Sequence, residues 1–342
     1  MKYTIVIAGS SKNTVRLAQT IASDLRFEIN LAITPTAKLV GRQKTLTKNP
    51  LQLWAEEQKI ATFLVEKKIE KAGFENFIKA TKRKTTKFAF PFDFLLVVDF
   101  GYFIPSWLLK LPKIAPLNVH PSLLPRWRGS SPGQFYLLLE SFLQPENHQS
   151  AVTLMIMNQK LDQGPIIAQV PFNVETNWTQ NEYYQTAFTL MQTKLADLIN
   201  NFATGKIQAK EQTINSPTMT ARKLTKADSF IAWQNLVQLM SEQADKISSI
   251  EVTEANAGLL QNLLIEQKIC PNKLAQIQLI INASKAFTPW PNLWTTIPTN
   301  KGTKRMKILS CYLATNKLLL KEVQIEGKNI CLWNETKNAL IN

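Results

Sequence analysis

Along the first part of the chain, short runs of β-branched and aromatic residues alternate with stretches whose apolar side chains recur three and four positions apart. Tyr3-Thr-Ile-Val-Ile-Ala8 is the first such run, and its apolar, β-branched character predicts a buried parallel strand. Val15, Leu17, Ile21 and Leu25 follow at helical spacing, which predicts a helix over Asn13 to Leu25. Glu28 to Thr34 reads as the next strand, Leu51 to Gln58 as a helix, Thr62 to Val65 as a strand and Ile69 to Ile78 as a helix. Phe92 to Phe100 is the best candidate for the central strand, and it ends at Gly101 ahead of a helix begun near Pro105. A helix over Ser131 to Glu140, strands over Ala151 to Met157 and Ile166 to Val174, and a long helix over Thr179 to Phe202 complete the series. Strand alternating with helix in this way predicts a doubly wound α/β sheet with right-handed crossovers.

The texture changes after Gly205. Lys206 to Asp228 is polar and threaded with Thr, Ser and Pro217, as a linker would be. Beyond it, Trp233 to Gln267 is helix-rich, and Lys307 to Leu313, Lys317 to Ile325 and Asn329 to Trp333 read as short strands of a small or partial barrel. The expected organisation is an α/β domain over 1–204, a linker over 205–228, and a smaller, partly β-barrel domain over 229–342 with a helical insertion at about 234–280. Within the first domain, Pro35 to Pro50 has no apolar periodicity and sets Lys38, Arg42, Lys44 and Lys48 around Gly41. It is expected to be an exposed, mobile loop, either a solvated surface or a set of phosphate contacts.

Composition adds to this picture. A hydrophobic share of 45% with 19% charged residues suits a soluble globular protein, and 342 residues are enough for two domains. No apolar run is long enough to span a bilayer and no secretory signal is evident, so a cytoplasmic protein without a membrane partner is expected. Cys270, Cys311 and Cys331 lie far apart without a Cys-x-x-Cys pair, which points to buried thiols in a reducing compartment rather than disulfides or zinc. Forty Lys and Arg against 25 Asp and Glu give a net charge of +15, compatible with a polyanionic partner or with simple solubility. Gly9-Ser10-Ser11 has a single glycine, so neither a dinucleotide fingerprint nor a P-loop follows the first strand.

The densest chemistry lies in Pro116-Leu-Asn118-Val-His120-Pro-Ser122-Leu-Leu-Pro125-Arg-Trp-Arg-Gly129, which holds one of only two histidines. In a strand register Asn118 and His120 project to one side, because the period is two. The rigid Leu123-Leu124-Pro125 that follows could line a flat apolar pocket. Asp162, in the turn Leu161-Asp-Gln-Gly-Pro165, is the candidate acid; its other reading is an Asx-turn residue. An amide, an imidazole and a carboxylate suit attack by an amine on a carbonyl, with Asn118 and His120 on the oxyanion and Asp162 orienting the histidine or taking the proton. No nucleophile elbow and no metal-ligand spacing occur, so direct, metal-free transfer is expected.

Asn118-x-His120-x-Ser122-Leu-Leu-Pro125-x-x-x-Gly129, followed by Leu161-Asp162-x-Gly164, resembles the signature of the folate-dependent formyltransferases. The resemblance implies that Asn118, His120 and Asp162 are catalytic and that Ser122, Leu123, Leu124 and Pro125 bind the donor 10-formyltetrahydrofolate. Arg126-Trp-Arg-Gly129, Gly41-Arg-Gln-Lys-Thr-Leu46, Phe287-Thr-Pro-Trp-Pro291 and Val323-Gln-x-Glu-Gly-Lys328 are similar to the branch that formylates methionyl initiator tRNA for translation initiation. That likeness implies tRNA contacts at Arg42 and Lys44, a tRNA-binding C-terminal domain and a monomeric enzyme. Pro121 and Gly164-Pro-Ile-Ile-Ala-Gln169 are closer to the branch acting on glycinamide ribonucleotide, and Asp99 puts a charge where the family's central strand ends in small or apolar residues. The stretch between Trp233 and Phe287 is longer than the family's, and the final segment is short for a complete barrel. Formylation of a small amine, either glycinamide ribonucleotide or an amino sugar nucleotide, and a non-catalytic RNA-binding role are the alternatives.

Overall fold

The computed structural model of the chain describes residues 2–40, 44–84, 90–146, 148–213, 220–249, 258–300 and 302–337. They form two compact units: Met1–Ser130 with Ser150–Phe172 and Gln185–Thr220, and Ser131–Gln149 with Asn173–Tyr184 and Ala221–Asn342.

The first unit is built on β1 (Tyr3–Gly9), β2 (Phe27–Pro35), β5 (Ala61–Val65), β6 (Phe94–Val98), β7 (Ala115–His120), β8 (Gln149–Ile156) and β9 (Ile166–Asn173), with a short pair β3 (Lys38–Val40) and β4 (Thr45–Thr47) outside the main sheet. The sheet runs β5-β2-β1-β6-β7-β8-β9. The chain adds β2 and β5 on one side of β1, then returns to lay β6 and β7 on the other, all parallel. The order therefore reverses between β1 and β6, and the carboxyl ends of these strands bound the crevice where such sheets hold their ligands. Ile5, Val6, Ile7 and Ala8 of β1 are at most 1% exposed, as a strand covered on both faces requires.

The sheet is doubly wound but mixed, because β8 runs antiparallel to β7. Residues 157–165 join β8 to its neighbour β9 through a turn too short for a crossover. Helix α1 (Lys12–Ser23) starts where Ser11 caps it, its hydroxyl accepting from the Thr14 N–H while Thr14 returns the bond. It ends two residues before Leu25, which periodicity places in the helix but which is 83% exposed. Helices α2 (Pro50–Glu57), α3 (Lys71–Lys84) and α4 (Ser106–Leu109) follow in this unit.

The segment from Pro35 to Pro50, expected to lack regular structure, instead pairs Lys38 with Thr47, Leu39 with Leu46 and Val40 with Thr45. Its alternation is hidden because both leucines face solvent, at 64% and 67% exposure. Lys38 sets its ammonium 5.6 Å from the Tyr102 ring centroid, tying the hairpin to the loop after β6. Lys44 is exposed at φ 50°, whereas Arg42 lies outside the described residues.

The second unit holds α5 (Pro132–Leu143), the first turn of α6 (Gln180–Ala203), α7 (Trp233–Met240), α8 (Leu259–Ile265) and α9 (Lys273–Ala286). Beyond them come β10 (Leu293–Ile297), β11 (Lys304–Ala314), β12 (Lys317–Ile325), β13 (Ile330–Leu332) and α10 (Trp333–Thr336). The partial barrel expected here takes the form of a four-stranded antiparallel sheet in the order β10-β11-β12-β13. Strand β10 escapes the sequence pattern because one of its three inward positions is polar: Thr295 is fully buried between Leu293 and Ile297.

Candidate active site

Strand β7 carries Asn118 and His120 to the carboxyl edge of the sheet, and the turn between β8 and β9 brings Asp162 to them. Asn118 Nδ2 lies 3.5 Å from Asp162 Oδ1, and His120 Nδ1 lies 3.7 Å from Asp162 Oδ2. The His120 and Asp162 side chains are buried, at 6% and 9% exposure. Both distances sit at or beyond the outer limit of a good hydrogen bond, so the three groups face one another without saturating one another.

Each is aimed by a local device. His120 Nε2 is 3.2 Å from the Trp127 carbonyl oxygen. A carbonyl can only accept, so Nε2 carries the hydrogen and the ring turns Nδ1 toward the carboxylate. Trp127 makes this possible at φ 57°, an unusual backbone for a bulky residue, held by complete burial of the indole. Asp162 also sits in the left-handed region, at φ 51°, which aspartate tolerates. Its Oδ2 accepts from the Gly129 N–H at 2.8 Å. The turn needs Gly164, because a Cβ there would lie 1.9 Å from the Ile156 carbonyl oxygen. Gly164→Ala is expected to cost about 2–4 kcal/mol of stability and to displace Asp162; urea unfolding of the variant, read beside a crystal structure, checks both.

Of the four residues expected to bind the folate donor, two face inward. Ser122 is fully buried and donates its hydroxyl to the Arg126 carbonyl at 2.7 Å, while its own carbonyl accepts from Thr153 Oγ1 at 2.6 Å. Leu124 is 3% exposed, and its carbonyl accepts from Gln169 Nε2 at 2.8 Å. In this conformation those two hold the turn, while Leu123 and Pro125 stay half-buried with surface that could touch a ligand. A groove of about 600 Å³ adjoins Leu124 and Pro125, lined also by Ile167, Lys206 and Lys210, but Asn118, His120 and Asp162 do not line it.

Two more residues matter at this edge: Asp99, which the sequence marks only as an unexpected charge, and Gln212, which it leaves in the expected linker. Asp99, at φ 47° after β6, accepts from Ser11 Oγ at 2.8 Å and Asn13 Nδ2 at 3.3 Å. The residue reaches solvent, yet its carboxyl group is closely packed: loss of water, the largest influence, pushes its pKa up against these hydrogen bonds and the attraction of His120. The other is Gln212, in the stretch expected to be a linker. Its side chain bonds Arg128 and the backbone on both sides of Gln163, and only an isolated glutamine in a polar run marks it in the sequence.

His120 bonds a carbonyl rather than a hydroxyl or thiol, so it activates no side-chain nucleophile here. The thiols of Cys270 and Cys311 belong to the second unit, where burial pushes both up to about 12. An amide, an imidazole and a carboxylate converging at the carboxyl edge of a doubly wound sheet define a protein suited to moving an acyl group directly onto an incoming nucleophile. A family model described as formyl transferase matches residues 1–199, and the chain belongs to that family.

Among curated relatives, the methionyl-tRNA formyltransferase of Ehrlichia chaffeensis is 30% identical over 198 residues, 58% of this chain and 60% of that protein. The one from Sulfurovum sp. is 28% identical over 243 residues, 69% of this chain and 70% of that protein. The chain thus spans about 60% of the length of the Ehrlichia relative it matches. Among solved structures, the N-formyltransferase of Helicobacter canadensis, in complex with folinic acid and dTDP-3-aminofucose, superposes with a TM-score of 0.51 at 15% identity, covering 92% of this chain and 88% of that one. That likeness extends the fold beyond the family match.

Proposed function

We propose that this chain transfers the formyl group of 10-formyltetrahydrofolate to the α-amino group of methionyl initiator tRNA, with residues 1–204 as catalytic domain, 205–228 as linker and 229–342 as tRNA-binding domain. The observation that carries the reading is the convergence of Asn118, His120 and Asp162 in a formyl transferase fold. The amine lone pair attacks the formyl carbon, and the carbonyl π electrons move onto oxygen. The Asn118 amide N–H and the His120 ring stabilise that oxyanion. Asp162 takes the proton that the attacking nitrogen sheds, directly or through one water. As the carbonyl reforms, the bond to N10 of the folate breaks and N10 takes up the proton held by Asp162, directly or through one water, giving the N-formylated acceptor and tetrahydrofolate. Half-buried Leu123 and Pro125, with Phe103 at 74% exposure in the loop after β6, offer apolar surface for a planar donor.

Support for a tRNA acceptor comes from the names of the two curated relatives, from the net charge of +15, and from the hairpin β3–β4, whose exposed Leu39 and Leu46 stand among Lys38, Lys44 and Lys48. Phosphate contacts of this kind make affinity fall with salt. The deciding measurement offers 10-formyltetrahydrofolate with initiator Met-tRNA, elongator Met-tRNA, glycinamide ribonucleotide and a dTDP-amino sugar. Initiator Met-tRNA should be formylated in preference to the others, with kcat/KM falling steeply between 50 and 200 mM salt. Arg42→Ala and Lys44→Ala should weaken tRNA use and leave the folate KM unchanged.

A second reading, formylation of a small amine, draws on Pro121 and the Gly164-Pro165 turn and on the aminofucose complex of the Helicobacter structure. Turnover of glycinamide ribonucleotide or the amino sugar, indifferent to salt and to Arg42→Ala, would replace the first reading with this one.

A further inference from the structure

We propose that Gln212 is a positioning residue for the reaction: it fixes the turn that presents Asp162 to His120, and it keeps Arg128 from taking that carboxylate. The proposal rests on the formyl-transfer reading of Asn118, His120 and Asp162 given above.

After α6 the chain runs back along the start of β9. Ile166 and Lys210 exchange backbone hydrogen bonds, with N···O distances of 2.7 and 2.8 Å. Two residues further on, the Gln212 carboxamide is engaged at every position it offers. Nε2 donates to the Asp162 carbonyl at 2.9 Å and to the Gly164 carbonyl at 2.7 Å, and Oε1 accepts from Arg128 Nε at 3.2 Å and Nη2 at 2.6 Å. Two N–H groups and two lone pairs are all that a carboxamide has. Glutamate would lack both donors, and alanine would lack everything.

The partners give these bonds their meaning. Asp162 holds a left-handed backbone, which aspartate tolerates and which the turn's partners fix in place. Gln212 pins the carbonyls of Asp162 and Gly164, while the Gly129 N–H pins the carboxylate. Arg128 is one residue before Gly129, so its guanidinium emerges beside the same turn. Loss of water pushes its pKa down, and the nearby charge of Asp162 pulls it back up, so the two groups sense each other. Paired guanidinium–carboxylate hydrogen bonds are the strongest that an arginine can form. By occupying Nε and Nη2, Gln212 withholds the face of Arg128 that would make them. Released, Arg128 would close on Asp162 and draw the carboxylate off His120. Gln212 meets Asp162 only at its backbone carbonyl and not at the carboxylate, so its influence should appear in kcat rather than in substrate binding.

The test compares Gln212→Ala, Gln212→Glu, Arg128→Ala and the double variant Arg128→Ala/Gln212→Ala with the wild-type chain, in formyl transfer to initiator Met-tRNA. Gln212→Ala should lower kcat about 10- to 100-fold, with either KM changed less than about threefold. Gln212→Glu keeps the acceptor for Arg128 and loses both donors, so it should also fall in kcat. The double variant should regain at least about fivefold over Gln212→Ala, since no guanidinium remains to take Asp162. A kcat for Gln212→Ala within about twofold of wild type, or a double variant no better than Gln212→Ala, overturns the proposal. Crystal structures of wild type and Gln212→Ala give a second readout that does not depend on turnover. Arg128 should move to within hydrogen-bond distance of Asp162 in the variant, and an unmoved Asp162–His120 pair overturns the proposal. If wild-type protein formylates no acceptor, the formyl-transfer reading fails, and the crystal structures still decide whether Gln212 holds Arg128 away from Asp162.

Discussion

Asp162→Asn is expected to lower kcat for formyl transfer by about 10²- to 10⁴-fold, the range typical of removing a positioned acid–base group. Asparagine preserves the size of the side chain and can still accept from the Gly129 N–H, which reaches Asp162 Oδ2 at 2.8 Å. It cannot take the proton of the attacking amine, and it withdraws the negative charge that faces His120 Nδ1 across 3.7 Å. Substrate KM values should change little, because in the proposed reaction the carboxylate acts on the proton and on the ring rather than on binding. His120→Ala should lose a similar factor, and the double variant little more than the worse single one, since groups acting as a unit are not additive. Steady-state kinetics on variants with wild-type circular dichroism provide the measurement. Full additivity would separate the two residues, and an Asp162→Asn enzyme within tenfold of wild type would remove Asp162 from proton transfer.

The same site shows what periodicity can and cannot deliver. A period of two is enough to place Asn118 and His120 on one side of β7, and a Gly/Pro turn between two strands is enough to nominate Asp162, because strand register and turn chemistry are local properties. The central strands were legible for a similar reason: Ile5 to Ala8 and Phe94 to Val98 are apolar without a break, as strands covered on both faces must be. Inward and outward positions within Ser122 to Pro125 were not legible. Those depend on Thr153 and Gln169, which the fold brings up from β8 and β9. Gln212 lies 50 residues from Asp162, on a stretch whose role comes from two backbone bonds to Ile166. Nothing in a run of polar residues encodes which strand it will lie along. The basic hairpin was missed for the opposite reason, because its apolar pair points outward and leaves the pattern without a buried face.

In the second unit, Asp228→Ala is expected to cost about 3 kcal/mol of stability, through a carboxylate that holds the unit's own loops together. Its residue is 3% exposed. Oδ1 accepts from Arg222 Nη2 at 2.5 Å and from the Leu259 N–H at 3.1 Å. Oδ2 accepts from the Thr225 N–H at 2.7 Å, from Thr225 Oγ1 at 2.9 Å and from Arg222 Nη1 at 2.9 Å. Burial on its own would raise this acid's pKa, but the Arg222 guanidinium and the Thr225 and Leu259 donors outweigh it and bring it to about 2, against an ordinary 3.8. The Arg222 side chain stays 50% exposed, so water screens the ionic part. Most of the loss on truncation then comes from the two backbone N–H groups left without a partner.

A folded-state pKa below the unfolded one means that the contribution is complete above about pH 4 and drains away as the pH falls toward 2. That contribution should amount to about 2 kcal/mol at neutral pH. Urea unfolding at pH 7 and at pH 3, on wild type and on Asp228→Asn, checks the sign. The gap between the two proteins should narrow at the lower pH, and a gap that stays constant or widens would deny Asp228 its charged role.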